Sequence, residues 1–369
     1  MGVERMLEIA TRNTVEVVTP DELKEAFETG RKLKGYLGYE PSGLFHIGWV
    51  IWASKVKDLV DVGVDFTLLE ATWHAWINDK FDGNMHAIRD AARYIRHCLK
   101  ALGVPVEKVR FVDAESLVSD SSYWAMVLKV AKHTTLRRAK RALTIMGRRA
   151  DEAELDSSKI IYPFMQVTDI LYMDLDIALG GLDQRRAHML AREIAEKLGR
   201  KKVIALHTPL LTSLEGIGRA GGGELRGAGQ ELDDIVEIKM SKSKPETTIL
   251  IHESPDDIRS KIKRAYCPPR EVEFNPVMEI NKYILFSREK FHLVVERPER
   301  YGGNVEYYSY EELERDYIEG RLHPADLKRA TAEALIEVLE PVRRYFSSNS
   351  EARELALKIA GYQGVSISI

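Results

Sequence analysis

Three stretches carry residue types that could do chemistry together. "GYLGYEPSGLFHIGWV" (Gly35–Val50) passes from an apolar run through Pro41, Ser42 and Gly43 to His46 and a run of helix formers. A helix starting there presents free N–H groups and a positive dipole end, which suits phosphate. Gly43 and Gly48 let backbone and ligand approach closely, and His46 offers a donor without needing charge. "IKMSKSKP" holds Lys239, Lys242 and Ser243. Lysines on such a loop can swing onto phosphates and stabilise charge developing in a transition state. "YPFMQVTDI" places Tyr162, Gln166 and Asp169 at i, i+4 and i+7, on one helix face. Phe164, Met165, Val167, Ile170 and Leu171 flank them and leave little of that helix for water, so the polar residues need partners. Singly, these stretches read as a capping histidine, a solvated basic loop and a helix with a polar outer side. Two of them flank a regular alternation of strands and helices.

That alternation supplies the scaffold. "GYLGYE" reads as a buried strand, and Trp49, Trp52, Ala53, Val56 and Val60 fall on one face of the helix that follows. "VDFTLLEAT" is the next strand, which completes a βαβ unit. Thr19-Pro20-Asp21-Glu22 spells a capping box with proline at the first helical position. Further strands are expected at "VRFVDAESL", "IALGG" and "KVIALHTP". Helices are expected at "MHAIRDAARYIRHCLKALG", over the basic stretch 122–150, at "IYPFMQVTDILYMDLD" with Pro163 in its first turn, and at "DQRRAHMLAREIAEKLG". Such alternation predicts a Rossmann-like parallel sheet with helices on both faces. Ligands of these sheets bind beyond the carboxyl ends of the strands. Residues 216–234 are glycine-rich and read as a mobile insertion or long loop. Beyond Ser254, an N-cap for "PDDIRSKIKRAYC", the pattern is helical. Two domains are expected, 1–253 with the sheet, inserted helices and lysine loop, and 254–369 mostly helical.

The bulk numbers exclude several classes. At 369 residues, 44% hydrophobic and 30% charged, the composition is that of a globular protein. No run approaches a membrane span, and "MGVERMLEIATRN" lacks the apolar core of a secretory signal. Two distant cysteines, Cys98 and Cys267, exclude a disulfide scaffold and a cysteine-based zinc site, and suit a reducing cytoplasm. A net charge of −3 leaves nucleic-acid binding open, because basic residues can cluster, as in "TTLRRAKRAL".

With "HIGW" and "KMSKS" in this order around such a pattern, the chain resembles a class I aminoacyl-tRNA synthetase. "GYLGYEPSG", "YPFMQVTDI" and "GGLDQRRAHMLAR" narrow the resemblance to the archaeal and eukaryotic type of tyrosyl-tRNA synthetase, over about residues 8–340. The resemblance implies a tyrosine–tRNA ligase that forms tyrosyl-adenylate from ATP and transfers tyrosine to the terminal adenosine of its tRNA. It implies that Tyr36 and Asp169 hydrogen-bond the substrate phenol, and that Tyr162, Gln166 and Gln184 surround its amino group. His46, Gly48, Lys242 and Ser243 would bind ATP, with Lys239 and Lys242 serving the leaving pyrophosphate. Magnesium would accompany ATP, and no metal-ligating residues are expected. Arg141 and Arg185 would meet the acceptor stem. In "RPERYGGNVEYYSYEEL" Asn304 stands where the archaeal pattern has aspartate and would read the anticodon. The family's second HIGH histidine is Trp49 here, which lies on the apolar helix face and is left out of the catalytic set. His74, after a strand, reads equally as a substrate contact or a structural histidine. Family likeness also implies a cytoplasmic homodimer. The alternatives are a tryptophanyl-tRNA synthetase, a non-catalytic RNA-binding paralogue and a small-molecule nucleotidyltransferase.

Overall fold

Six strands form one sheet in the order β1-β6-β5-β2-β3-β4. They are β1 (Glu16–Val18), β2 (Lys34–Tyr39), β3 (Asp65–Glu70), β4 (Arg110–Asp113), β5 (Ile177–Gly181) and β6 (Ile204–Thr208) in a computed structural model that describes residues 1–143, 156–216, 239–240, 245–367 and 369. All neighbours are parallel except β1, which runs antiparallel to β6 with Val17 opposite Leu206. The order leaves β2 in both directions, to β3 and β4 on one side and to β5 and β6 on the other. The β2–β5 boundary is therefore the switch point, where open sheets of this kind take ligands. Tyr36 pairs Ala178 across it.

Helices connect the strands: α1 (Val3–Thr11), α2 (Pro20–Glu28), α3 (Gly48–Asp61), α4 (Thr72–Ile77), α5 (Met85–Ala101), α6 (Ala114–Val118), α7 (Ser121–Lys132), α8 (Leu136–Ala142), α9 (Ser158–Tyr172) and α10 (Arg185–Lys197). The capping box at Thr19 forms, its hydroxyl accepting from Glu22 N at 3.2 Å and Glu22 accepting from Thr19 N at 3.3 Å. Three details depart from the sequence pattern. β4 ends at Asp113, because that carboxylate accepts from Glu115 N at 2.9 Å and starts α6. α9 starts earlier than expected, and Pro163 lies inside it, not in its first turn. The cause is Asp156, whose carboxylate accepts from Ser158 N at 2.9 Å and sets the helix start upstream. The basic stretch 122–150 is two helices, α7 and α8, with residues from 144 onward outside those described. The glycine-rich stretch also lies outside them from residue 217.

By its contacts the chain divides into two units. The sheet unit comprises Met1–Gly43, Trp52–Pro209 and Lys358–Val365. The other comprises Leu44–Ile51, Leu210–Leu357 and Ser366–Ile369. It holds α11 (Pro255–Arg264), capped by Ser254, and α12 (Pro276–Ile280). An antiparallel hairpin, β7 (Leu293–Val295) with β8 (Val305–Tyr307), follows, then α13 (Tyr310–Ile318), the long α14 (Pro324–Ser348) and α15 (Ser350–Tyr362). α14 packs on α11 and on β7. The last turn of α15 counts with the sheet unit, where Lys358 pairs Asp90 at 2.5 Å. No helix among the described residues is long and apolar enough to cross a membrane.

Candidate active site

β2, α4, α7 and α9 surround a buried polar cluster in the sheet unit. Tyr36 projects from β2 and is 2% exposed. Its neighbour Gly38 is exposed although it lies on a central strand, so the sheet face there is open. A Cβ on Gly38 would come within 2.7 Å of the Tyr36 hydroxyl, so the glycine makes room for that phenol. From α9, Tyr162, Gln166 and Asp169 are all buried on one face, at the spacing that the sequence predicts.

Asp169 is the charge at the centre. Its Oδ1 accepts from the hydroxyl of Tyr123, a fully buried α7 residue, at 2.7 Å. His74 Nε2 stands 3.2 Å from Oδ2. Burial, with the Asp169 charge beside them, pushes the phenols of Tyr36 and Tyr123 well above their usual range. Both therefore remain donors at any physiological pH.

The next turns of α9 carry a second cluster. Gln166 Nε2 donates to Gln184 Oε1 at 2.9 Å, while Gln166 Oε1 is buried with no hydrogen-bond partner. Tyr162 donates its proton to Glu40 at 2.6 Å. That commitment leaves the Tyr162 oxygen with lone pairs to offer. Asn78 holds Glu40 from the other side at 3.0 and 3.1 Å. The cluster thus presents acceptors, an arrangement suited to an ammonium group. Gln184 follows β5, where a Cβ on Gly180 would come within 2.9 Å of the Gln184 Cβ. Glycine is the residue that lets the turn close so tightly.

Arg185 opens α10 beside Gln184. Its Nε donates to both oxygens of Glu16, at 2.9 and 2.8 Å. Behind Glu16 runs a buried chain, with His207 Nδ1 2.7 Å from Glu16 and His188 Nδ1 3.0 Å from His207 Nε2. Burial pulls His188 well below its usual range. Burial also lowers His207, against the pull of Glu16. Burial pushes Glu16 up, but its bonds to Arg185 and His207 outweigh that and hold it below the usual carboxylate range. Arg138, Arg141, Arg185 and Arg186 together line one open cleft.

In the other unit, His46 and the lysine segment are tied through main chain. Ile47 N donates to Ile249 O at 2.9 Å, Ile251 N donates to Phe45 O at 3.1 Å, and His46 forms an antiparallel bridge with Leu250. Upstream, Lys239 bridges Thr212 and Met240 N donates to Leu211 O at 2.6 Å. Leu214 N in turn donates to Thr247 O at 3.0 Å. Lys242 and Ser243 lie outside the described residues. A Cβ on Gly48 would come within 3.0 Å of the His46 ring, so the glycine seats that imidazole at the start of α3. Trp49 packs edge-on against Phe45 at 5.2 Å.

Asn304 sits in the β7–β8 turn, where its Oδ1 accepts from Arg297 N at 3.0 Å. Its side-chain oxygen is thereby committed within the hairpin. Exposed beside it are Tyr301, under the Arg300 guanidinium at 4.8 Å, and Tyr308, stacked on His292. Sequence reasoning missed Glu40 and Tyr123. Glu40 lies within "GYLGYEPSG" but takes its role only from Tyr162, 122 residues away, and Tyr123, outside every motif, meets Asp169 across 46 residues of chain.

Comparison with known proteins places the chain in a family. The family described as tRNA synthetases class I (W and Y) matches residues 28–222 and 232–340. The tyrosine–tRNA ligase of Aeropyrum pernix is 62% identical over 93% of both chains. That of Sulfurisphaera tokodaii is 58% identical over 95% of both chains. The crystal structure of tyrosyl-tRNA synthetase complexed with L-tyrosine from Pyrococcus horikoshii superposes with a TM-score of 0.87 at 39% identity, covering 97% of this chain and all of that one. Family match, overall fold and near-full-length identity agree, and the chain belongs to the archaeal-type tyrosyl-tRNA synthetases of class I.

Proposed function

We propose that the sheet unit reads tyrosine through two chemically opposite clusters. Tyr36 donates to the phenol oxygen and Asp169 Oδ2 accepts the phenol proton. Gln166 Oε1, the Tyr162 oxygen and Gln184 accept from the α-ammonium, with Glu40 supplying the opposite charge. The tyrosine carboxylate then attacks the α-phosphorus of ATP, and the P–O bond to pyrophosphate breaks as tyrosyl-adenylate forms. Next a ribose hydroxyl of the terminal adenosine of tRNA attacks the acyl carbon and AMP leaves. The protein contributes position and charge stabilisation to both steps. His46, Gly48 and the start of α3 hold the nucleotide phosphates. Lys239, Lys242 and Ser243 serve the pyrophosphate.

Magnesium belongs to the ATP it arrives with. Among the described residues no group of three or more His, Cys, Asp or Glu is placed to hold a metal ion. Nucleotide phosphates are the usual main ligands of Mg²⁺ in such sites. The arginine cleft is the acceptor-stem face, with Arg141 and Arg185 at the first base pair. The β7–β8 turn with Asn304 and the exposed tyrosines faces the anticodon, where rings can stack on bases. Trp124, Leu128 and Leu136 are 40%, 70% and 70% exposed on α7 and α8. An apolar patch of that kind suits the interface of a homodimer, and we assign it that role. The enzyme works in the cytoplasm, where its tRNA is.

The observation that carries the amino-acid assignment is Asp169, a carboxylate buried among hydroxyl donors on the open face of β2. ATP–pyrophosphate exchange tests it. Tyrosine should support exchange, with phenylalanine and tryptophan weaker by orders of magnitude. Equal or faster exchange with tryptophan, or none with any amino acid, overturns the reading.

A further inference from the structure

His74 has a polar capacity that nothing in the protein uses. It is 2% exposed, and neither ring nitrogen makes a hydrogen bond. Nε2 lies within reach of Asp169 Oδ2, at 3.2 Å, without forming a hydrogen bond to it. The ring stands edge-on to Tyr162, with centroids 5.0 Å apart at 90°. A phenylalanine or leucine would fill the same space without leaving buried nitrogens unsatisfied. Each such orphan costs about 1–3 kcal/mol. An imidazole kept here at that cost implies that its donor is used in a state with substrate bound.

The acceptor is one atom away. Asp169 Oδ1 is fixed by Tyr123 at 2.7 Å. Oδ2 is the oxygen left for the phenol, and a carboxylate oxygen can accept two hydrogen bonds. With only Tyr123 attached, the carboxylate can still rotate about its Cβ–Cγ bond and turn Oδ2 away from the substrate. A second donor on Oδ2 removes that freedom.

We propose that His74 is a specificity-determining positioning residue for the phenol. Carrying its proton on Nε2, it swings into line on Asp169 Oδ2 as tyrosine enters. Tyr123 and His74 then grip the carboxylate from both ends, and the remaining lone pair of Oδ2 points at the phenol O–H. Phenylalanine brings no proton for that lone pair, so the fixed carboxylate is left unsatisfied and the wrong substrate is penalised. This rests on reading Asp169 as the phenol acceptor.

The test is the ratio of kcat/KM for tyrosine to that for phenylalanine in ATP–pyrophosphate exchange. His74→Phe keeps the edge-on ring and removes the donor. The tyrosine value should fall between about 10- and 150-fold, the range of one hydrogen bond to a charged group. The tyrosine-to-phenylalanine ratio should fall by a similar factor, and KM for ATP should stay within about twofold. His74→Gln, whose amide N–H reaches the Nε2 position, should recover most of the ratio. A merely structural histidine predicts otherwise. Both substrates would then fall together with the ratio unchanged, or glutamine would do no better than phenylalanine, and either result overturns the proposal. Should His74→Phe fail to fold, His74→Leu and His74→Gln carry the same comparison. Asp169→Asn separates the layers. If it leaves the ratio intact, the phenol reading itself fails. If it collapses the ratio while His74→Phe does not, only the role of His74 fails.

Discussion

Gly38→Ala tests the tyrosine pocket with a single methyl group. Gly38 pairs Leu69 on β3 and has an ordinary extended backbone, so alanine imposes no backbone strain. Its Cβ would stand 2.7 Å from the Tyr36 hydroxyl, 3.2 Å from Cζ and 3.3 Å from Cε2. An ordinary carbon contact begins near 3.4 Å, so the end of the phenol must retreat by about 0.7 Å. The open face above Gly38 lets the ring tilt. The stability cost is therefore small, since overpacking of about 1 kcal/mol is offset by about 0.4–1 kcal/mol of lost unfolded-state freedom. The hydrogen bond to substrate has no such slack. Displacing its donor by 0.7 Å takes it out of range and costs about 1–2 kcal/mol, or roughly 5- to 30-fold in kcat/KM for tyrosine. Phenylalanine makes no use of the Tyr36 hydroxyl and should change by less than about threefold. ATP–pyrophosphate exchange with both amino acids, and thermal unfolding of both proteins, measure the two sides. In a Tyr36→Phe background the added methyl meets no oxygen and should cost little more, so the double-mutant cycle should be strongly non-additive. An unchanged tyrosine kcat/KM in Gly38→Ala, or simple additivity with Tyr36→Phe, refutes the placement of Tyr36 against the phenol.

Three other outcomes follow from the same structure. Glu16→Gln loosens the anchor of Arg185, whose side chain is 42% exposed and partly screened; KM for tRNA should rise about 3- to 10-fold in aminoacylation with exchange unaffected, and an unchanged KM refutes the anchoring role. Burial holds His252 down to about 4, below its usual 6.5, so the unfolded chain takes up a proton there first as pH falls. Stability from this group is full above pH 6.5 and is lost toward pH 4, about 2 kcal/mol of it between pH 7 and pH 5; urea unfolding of His252→Gln should show that much less acid loss than the native chain, and equal losses refute it. Leu128→Asp on the exposed face of α7 should shift the protein from dimer to monomer in sedimentation velocity, and no shift removes that face from the interface.

Much of the frame is legible in the sequence because it is written locally. The capping box at Thr19, the cap at Ser254 and the βαβ period each occupy a few adjacent residues. Tyr162, Gln166 and Asp169 share a face because helix geometry fixes residues four and seven apart. What escapes is long-range or too short to have a period. β1 is three residues long and becomes a strand only because β6 offers its edge. The proton of Tyr162 goes to Glu40 across 122 residues, and that bond, not the tyrosine itself, leaves the oxygen only lone pairs to offer. Pro163 shows local reading going wrong. Proline favours a first turn in general, but this helix begins upstream at Ser158, whose N–H donates to the Asp156 carboxylate. At Asn304 residue type alone leaves the partner open, and the fold supplies one, Arg297 N, for its side-chain oxygen.

The pairing of residues 45–47 with 249–251 has a genetic meaning. The two motifs by which such chains are recognised are spelled in side chains, but what fastens one to the segment that follows the other is N–H and C=O. Those groups are common to nearly every amino acid. Ile249, Leu250 and Ile251 can drift among apolar residues without touching the fastening, and no search for a signature would mark them. Proline is the exception, since it alone lacks the N–H that residue 251 gives to Phe45. A screen for loss of adenylation should therefore find proline at 251 conspicuous among otherwise silent apolar changes, a lesion at a position that no motif includes.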